Sequence, residues 1–539
     1  MNEWWRTAVV YQVWPRSFQD SHGDGVGDLP GVLQRLDHLS DLGVDVVWLS
    51  PVFPSPQVDN GYDVSNYQDV DPLFGSLADL DALIQALHAR GMRLVLDVVL
   101  NHTSDQHPWF IESRGSRESP KRDWYWWRAP GEVPGAEPNA WQSLFSGSAW
   151  QLDDATGEYY LHTFARQQPD LNWESPQVRA AMAEMLCWWV DRGVDGFRLD
   201  VISMISKAPA NLLGFGPRLH DYLRELHEAV FAEKGLLTIG ETPGISVAQA
   251  QRMTDPARRE LDLVLEFEHV SLDQGATKWE ARQLGLPRLK QCFARWQEGL
   301  AGTGWNSLYW NNHDQPRAVS RFGDDGEHRV ASATTLATVL HLHRGTPFVF
   351  QGEELGMRNA GFTALADYRD VESINHYEAV VSAGQAPHEV LAALQRMSRD
   401  NARTPVQWDG SVHAGFSTAQ PWIAVNQDHV EVNAAAQRED PQSVLAHYRR
   451  LIALRHDVPA VALGEFALLL PDHEQVWAFT RTHLDVQLLV VANLSDREVE
   501  ADVPDTGWAD AELLLGNLPG GRGGLRLRPW ESRVLRRTR

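Results

Sequence analysis

One phrase recurs through the first half of the chain: an amphipathic helix, a glycine, then a short apolar strand. Ser76 stands where it can cap a helix, with Asp79 three residues on in the manner of a capping box. Leu77, Leu80, Leu83, Ile84 and Leu87 then form one apolar stripe, Gly91 closes the helix, and Arg93–Val99 reads as a strand. The phrase returns at Gly43 before residues 44–51, at Gly193 before 194–200 and at Gly235 before 236–241, and further strands fit 9–15, 263–269, 307–314 and 346–351. Strands that alternate with helical stretches lie parallel and are joined by crossovers. Eight of them, with polar residues gathered at their C-terminal ends, predict an α/β fold of the (β/α)8 (TIM) barrel type rather than an open sheet.

Two regions break the pattern. Residues 103–172 are rich in Trp, Pro and Gly and contain a hairpin, 149–152 with 158–164, around Asp153-Asp154-Ala155-Thr156-Gly157. They read as a small domain inserted after the third strand. Residues 356 to about 440 form a second irregular stretch after the eighth; insertions on that face of a barrel can wall a pocket. The last part of the chain carries short strands at 466–470, 476–480, 488–492, 511–515 and 532–535 with no helical period, as a C-terminal antiparallel β-sandwich would. The expected division is a barrel over 1–102 and 173–458, an inserted domain over 103–172 and a β domain over 459–539.

Composition narrows the partners. A formal net charge of −24 over 539 residues argues against nucleic acid and anionic membrane surfaces, which would repel the chain. The two cysteines, Cys187 and Cys292, show no CxxC spacing, and Cys187 lies in an apolar helical run that predicts a buried free thiol. The N-terminus lacks a basic-then-apolar signal pattern, and no apolar stretch approaches the roughly 18 residues of a membrane span. The cytoplasm is the default expectation, with the protein a monomer or weak homo-oligomer. Twenty-two tryptophans are compatible with a sugar ligand, although most tryptophans serve packing.

Four segments end a strand on a carboxylate: Asp97-Val98-Val99-Leu100-Asn101-His102, Gly196-Phe197-Arg198-Leu199-Asp200, Gly240-Glu241 and Asn312-His313-Asp314. A single strand-end Asp is more often a cap than a catalyst. Together, however, parallel strands ending side by side can hold a nucleophile and a proton donor about one bond, as glycoside cleavage demands.

These segments resemble the motif set of glycoside hydrolase family 13, the α-amylase family, and the match runs over nearly the whole chain. Gln168-Pro169-Asp170-Leu171-Asn172 resembles the tag of its oligo-1,6-glucosidase and α-glucosidase branch, as do Ser307 to Arg317, Gly345 to Met357 and Ser398 to Pro405. The resemblance implies Asp200 as nucleophile, Glu241 as acid/base and Asp314 as transition-state stabiliser of a retaining double displacement, with the two acting carboxyl groups about 5–5.5 Å apart. Arg198, two residues before Asp200, points the same way along the strand and is expected to keep it ionised. Glu241 must begin protonated. His102 and His313 would donate to sugar hydroxyls or carboxylates, and Gln168 would join them in holding substrate.

Asp63 resembles the residue that grips a terminal glucose, paired with Arg399 or alternatively Arg403, and Tyr62 would stack on that glucose or simply pack. A pocket closed by such a pair would release single glucose units from non-reducing ends. Val201, after the nucleophile, is the residue that in this branch goes with α-1,6 linkages. The loop Asp20, His22, Asp24, Val26 (through its carbonyl) and Asp28 resembles a structural Ca2+ site of some relatives, which have asparagine at the place of His22; imidazole is a poor ligand for calcium. The same spacing also suits an Asx/Gly turn cluster without metal. No cofactor is expected for catalysis. Beside hydrolysis, the same covalent intermediate would serve a glucosyl transferase or sucrose isomerase. A non-catalytic transporter-subunit relative is disfavoured, since the carboxylates are all present and no span is.

Overall fold

The computed structural model describes residues 3–131, 136–207, 214–232, 234–504, 506–508, 511–520 and 525–538. Eight parallel strands form its centre: β1 (Val10–Val13), β2 (Val46–Leu49), β3 (Arg93–Val99), β4 (Gly196–Asp200), β5 (Leu237–Glu241), β6 (Leu263–Leu265), β7 (Ser307–Leu308) and β8 (Thr346–Phe350). Their order around the sheet is β7-β8-β1-β2-β3-β4-β5-β6, and a parallel bridge between Val264 and Asn306 nearly closes the ring. All eight expected strands are present, most of them shorter than the apolar runs that predict them. The largest difference is at β7, which leaves the ladder after Leu308, so that Asn312, His313 and Asp314 lie on a loop rather than on a strand. The reason lies in the sequence itself: asparagine is depleted in strands, and a side-chain oxygen of Asn312 takes up the N–H of Asp314 at 2.8 Å.

The helices cap as their sequences dictate. Ser76 and Asp79 form the reciprocal capping box of the helix Leu77–Ala89, which buries Leu80, Leu83, Ile84 and Leu87. Gly91 follows at φ +74°, a left-handed conformation that glycine adopts without steric cost. Period-two alternation sorts each strand into two faces. Leu94, Leu96 and Val98 of β3 pack outward into the layer shared with the helices, whereas Val95 packs inside with Val10, Val46, Trp48, Leu237 and Ile239. Asp97 follows Val95 on the inner face, and the register Asp97↔Arg198, Val99↔Asp200 and Leu199↔Gly240 brings β3, β4 and β5 to a common end. Burial thus assembles an apolar floor, and the strand ends place ionisable groups above it.

Between β3 and β4 lies a three-stranded antiparallel sheet in which Trp150–Asp153 pairs with Glu158–Leu161 and the latter with Trp127–Arg128. After the barrel, Glu465–Leu469, Val476–His483, Val486–Asn493, Ser532–Thr538 and Glu512–Gly516 form a five-stranded antiparallel sheet, accompanied by a ribbon of Val499–Glu500 with Arg526–Leu527. Lys290, buried in the barrel helix Leu286–Gly299, docks this domain by donating to the carbonyls of Leu470, His473 and Val476 at 2.5, 2.7 and 2.9 Å. Cys292 is buried, but Cys187 is only half-buried, on the rim of its helix's apolar stripe; both are free thiols. Among the described residues no helix is long and apolar enough to cross a membrane.

Candidate active site

The strand ends open into a cavity of about 400 Å³. Asp200, Glu241 and Asp314 line it together with Asp59, Tyr62, His102, Val201 and Arg399, with Phe145 and Phe164 contributed by the inserted segment. Asp200 and Glu241 share one guanidinium. Arg198 Nη1 lies 2.7 Å from Asp200 Oδ1 and 2.8 Å from Asp97 Oδ1, while its Nη2 lies 2.5 Å from Glu241 Oε1. Asp97 also accepts from the Tyr62 hydroxyl at 2.9 Å and from Trp48 Nε1 at 3.1 Å.

One fully buried cation serving three carboxylates does not behave as the sequence predicts. Burial pushes the Asp200 carboxyl well above its ordinary value; Arg198 opposes this, and Glu241 and Asp97 reinforce it. Burial likewise carries Asp97 up to about 6. Arg198 does favour the ionised Asp200, as expected, but burial with Glu241 and Asp97 outweighs it. Burial and the crowding of three carboxylates about one guanidinium thus disfavour full ionisation of Asp200 and Asp97.

Asp314 has the opposite surroundings. Arg403 Nη2 lies at 2.8 Å from it, Arg399 Nη1 at 3.3 Å and His313 Nε2 at 3.4 Å. Although burial pushes the other way, Arg399, Arg403 and Lys278 hold the Asp314 carboxyl well below the usual carboxylate range. Asp370, which the sequence reading did not single out, braces the two arginines from behind, 2.5 Å from Arg399 Nη2 and 3.5 Å from Arg403 Nη1.

The expected pair of Asp63 with Arg399 does not form. Arg399 Nη2 lies 3.1 Å from Asp59 Oδ1 instead. Asp63 is fully buried and accepts from the Ser55 hydroxyl at 2.9 Å and from the N–H groups of Val58 and Asp59 at 2.9 and 3.0 Å. It ties down the very turn that presents Asp59. The turn needs left-handed backbone at Asn60 and at Gly61 (φ +50° and +104°), and a side chain at Gly61 would also press on the Pro51 carbonyl. Two aspartates four residues apart flank that turn, and only its fold decides which faces the cavity.

Gln168 is also behind the cavity rather than in it: its Nε2 donates to Asp59 at 3.2 Å and meets His102 Nε2 at 3.1 Å. Arg198 and His313 are buried outside the lining as well. His313 accepts from the Gln12 amide at Nδ1 (2.8 Å) and donates from Nε2 to the Tyr62 hydroxyl (2.7 Å), which in turn donates a hydrogen bond to Asp97. Burial lowers both histidines, His313 to about 3 and His102 to about 4, so each works as a neutral imidazole. The Tyr62 ring stacks on His313 at 5.3 Å and 8°, which leaves a single face for any ligand.

The loop Asp20 to Asp28 does not fit calcium. Asp20 accepts from the N–H groups of His22, Gly23 and Gly25 and from the Ser417 hydroxyl. Asp28 caps the helix Leu29–Gln34, and its other oxygen takes His22 Nδ1 at 2.9 Å. Asp24 is exposed and accepts from the N–H of Val26. Among the described residues no three His, Cys, Asp or Glu side chains gather as a metal site. The imidazole of His22 occupies the carboxylate that a cation would need.

Comparison with known proteins agrees with this geometry. The family described as alpha amylase, catalytic domain, matches residues 12–464, and that described as maltogenic amylase, C-terminal domain, matches 466–531. An oligo-1,6-glucosidase of Parageobacillus thermoglucosidasius is 50% identical over 98% of each chain, and a trehalose-6-phosphate hydrolase of Bacillus subtilis is 44% identical over 99% of this chain and 98% of its own. A crystal structure of a trehalulose synthase in complex with Tris superposes with a TM-score of 0.96 at 42% identity, covering 99% of this chain and 100% of that one. With matching models over both the barrel and the C-terminal domain, and with the strand-end carboxylates gathered in one cavity, the chain belongs to the α-amylase family.

Proposed function

We propose that this protein is an exo-acting, retaining α-glucosidase that releases glucose from the non-reducing ends of short α-glucosides and favours α-1,6 linkages such as that of isomaltose. The observation that carries the reading is the Asp59–Arg399 pair, 3.1 Å apart in the wall of a cavity of about 400 Å³. A cavity of that size is at the small end of ligand sites and suits a disaccharide better than a polymer. In this reading Asp200 attacks the anomeric carbon, Glu241 protonates the departing oxygen, and Asp314, held ionised by Arg399 and Arg403, stabilises the developing positive charge. Water activated by Glu241 then resolves the glucosyl ester.

Charge separates this reading from that of the sugar-phosphate relative. Asp59, Asp200, Glu241, Asp314 and Glu372 line the cavity against Lys278 and Arg399, and Lys278 is already paired with Glu372. A phosphorylated substrate would enter a negative field, whereas a neutral glucoside would not. Val201 lines the same cavity and supports the α-1,6 preference. Chromatographic product analysis with isomaltose, maltose, sucrose and trehalose 6-phosphate supplied separately tests the proposal. Glucose as first product, with isomaltose turned over fastest, is expected. Predominant conversion of sucrose to an isomeric disaccharide would instead establish the transferase reading, and preference for the phosphorylated sugar would overturn the argument from charge.

A further inference from the structure

Val201 has a backbone that its side chain resists. It lies at φ +36° and ψ +41°, in the left-handed region, where a β-branched residue crowds its own carbonyl. No turn-forming residue stands there to ease the conformation; the sequence places Val directly between the strand-end Asp200 and Ile202. Sparsely populated backbone of this kind persists only where the surroundings over-determine it, and it clusters at active sites.

The surroundings are specific. Ile202 opens a short helical turn, Ile202–Ile205, that packs over the end of β5. It can do so because position 240 is glycine: a Cβ there would fall 2.9 Å from Ile202 Cγ2 and 2.6 Å from Leu261 Cδ1. This close approach seats the turn that follows the left-handed Val201, and the peptide leading into it points the Val201 N–H at Glu241 Oε2, 3.0 Å away. The other carboxyl oxygen, Oε1, faces Arg198 Nη2 at 2.5 Å. Both oxygens of Glu241 are thus aimed from the strand that bears Asp200, one by a side chain and one by a main-chain amide.

We propose that Val201 is a positioning residue for Glu241: its strained backbone, held by the contact of Ile202 with Gly240, fixes the rotamer of the proton donor through the N–H of residue 201. The inference rests on the reading of Glu241 as acid/base. It gives position 201 a second task beside lining the cavity, because the N–H belongs to every residue type at that position except proline. A donor to the carboxylate favours its ionised form, so loss of the bond raises the pH at which the proton leaves.

Replacing the amide between Asp200 and Val201 by an ester, with the α-hydroxy analogue of valine at position 201, removes the N–H and keeps the side chain. The basic limb of kcat/KM against pH is expected to move up by about one unit. Turnover of isomaltose, whose leaving group needs a proton, should fall about tenfold or more, while a p-nitrophenyl α-glucoside, whose leaving group does not, should change by less than about threefold. A purely structural defect would lower both substrates alike. Gly240→Ala, which displaces Ile202, should give the same split by conventional mutagenesis. An ester variant with an unmoved basic limb and equal effects on both substrates overturns the proposal. Glu241→Gln serves as the control: if it still cleaves isomaltose, the acid/base reading itself falls, whereas an inactive Glu241→Gln beside a normal ester variant sinks only the role of Val201.

Discussion

Asp200 and Asp314 face one cavity from opposite neighbourhoods. Asp200 shares the single guanidinium of Arg198 with Asp97 and Glu241, and burial drives its carboxyl up. Asp314 lies against both Arg399 and Arg403 and is driven down. Two aspartates lining one cavity therefore receive different protonation behaviour from their burial and from the ratio of cations to carboxylates around them. On the side with excess carboxylate, burial and like charge raise Asp200 and Asp97. The side with excess guanidinium keeps Asp314 an anion, as the proposed role of stabilising positive charge on the sugar requires.

The most severe way to break the comparison is to remove the nucleophile. Asp200→Asn should lower turnover by about four orders of magnitude or more, with the fold intact by circular dichroism. Azide should restore activity to Asp200→Ala and yield an inverted β-glucosyl azide. Near-normal turnover of Asp200→Asn would remove that residue from the chemistry.

Next in size are Asp59→Ala and Arg399→Ala, each expected to cost roughly 10²–10³-fold in kcat/KM: Arg399→Ala strips Asp59 of its cation in a desolvated wall, and Asp59→Ala frees Arg399 to settle on Asp314 and Asp370. The double variant should be little worse than the worse single one. Asp63→Ala sharpens the point, since that residue braces the turn from behind: it should lower Tm and leave more of the activity than Asp59→Ala does. Release of maltose early in starch digestion would contradict the closed end of the cavity.

A smaller test compares the two sides by pH. The Asp97 charge raises the Asp200 carboxyl, so Asp97→Asn should let Asp200 ionise at lower pH and move the acid limb of the activity profile down. Asp370→Asn beside the arginines should not move that limb, because Asp314 is already far below the working range. Stability carries the same sign. Asp97 goes from an ordinary value of 3.8 to about 6 on folding, so its contribution is complete below about pH 4 and is lost as pH rises through 6. Asparagine has no such loss, and Tm of Asp97→Asn relative to wild type should rise by about 1–3 °C from pH 5 to pH 7. A constant difference would mean that Asp97 is ionised throughout.

The mildest expected effect is that of Val201→Thr, which adds one hydroxyl to the cavity wall. Relative activity on maltose over isomaltose should rise by an amount on the order of 1–3 kcal/mol in discrimination. A wild type that strongly prefers maltose would show that other wall residues decide the linkage.

Read by itself, the chain determined its barrel, because helix-glycine-strand periodicity is a local property that burial turns directly into parallel β/α units. It determined which carboxylates gather at the strand ends too: strand alternation places Arg198 and Asp200 on one face, and the register of β3, β4 and β5 completes the cluster. It did not determine which aspartate of the segment 59–63 faces the cavity, since the left-handed backbone at Asn60 and Gly61 makes that choice. Nor did it reveal Asp370, whose value comes from arginines that are distant in sequence from the strands they serve. The calcium ligand pattern in the loop 20–28 was legible, but the imidazole of His22 turns onto Asp28. Local pattern fixes which groups a strand end carries; only packing across the fold decides which charges meet, and the balance of those charges sets what each carboxylate can do.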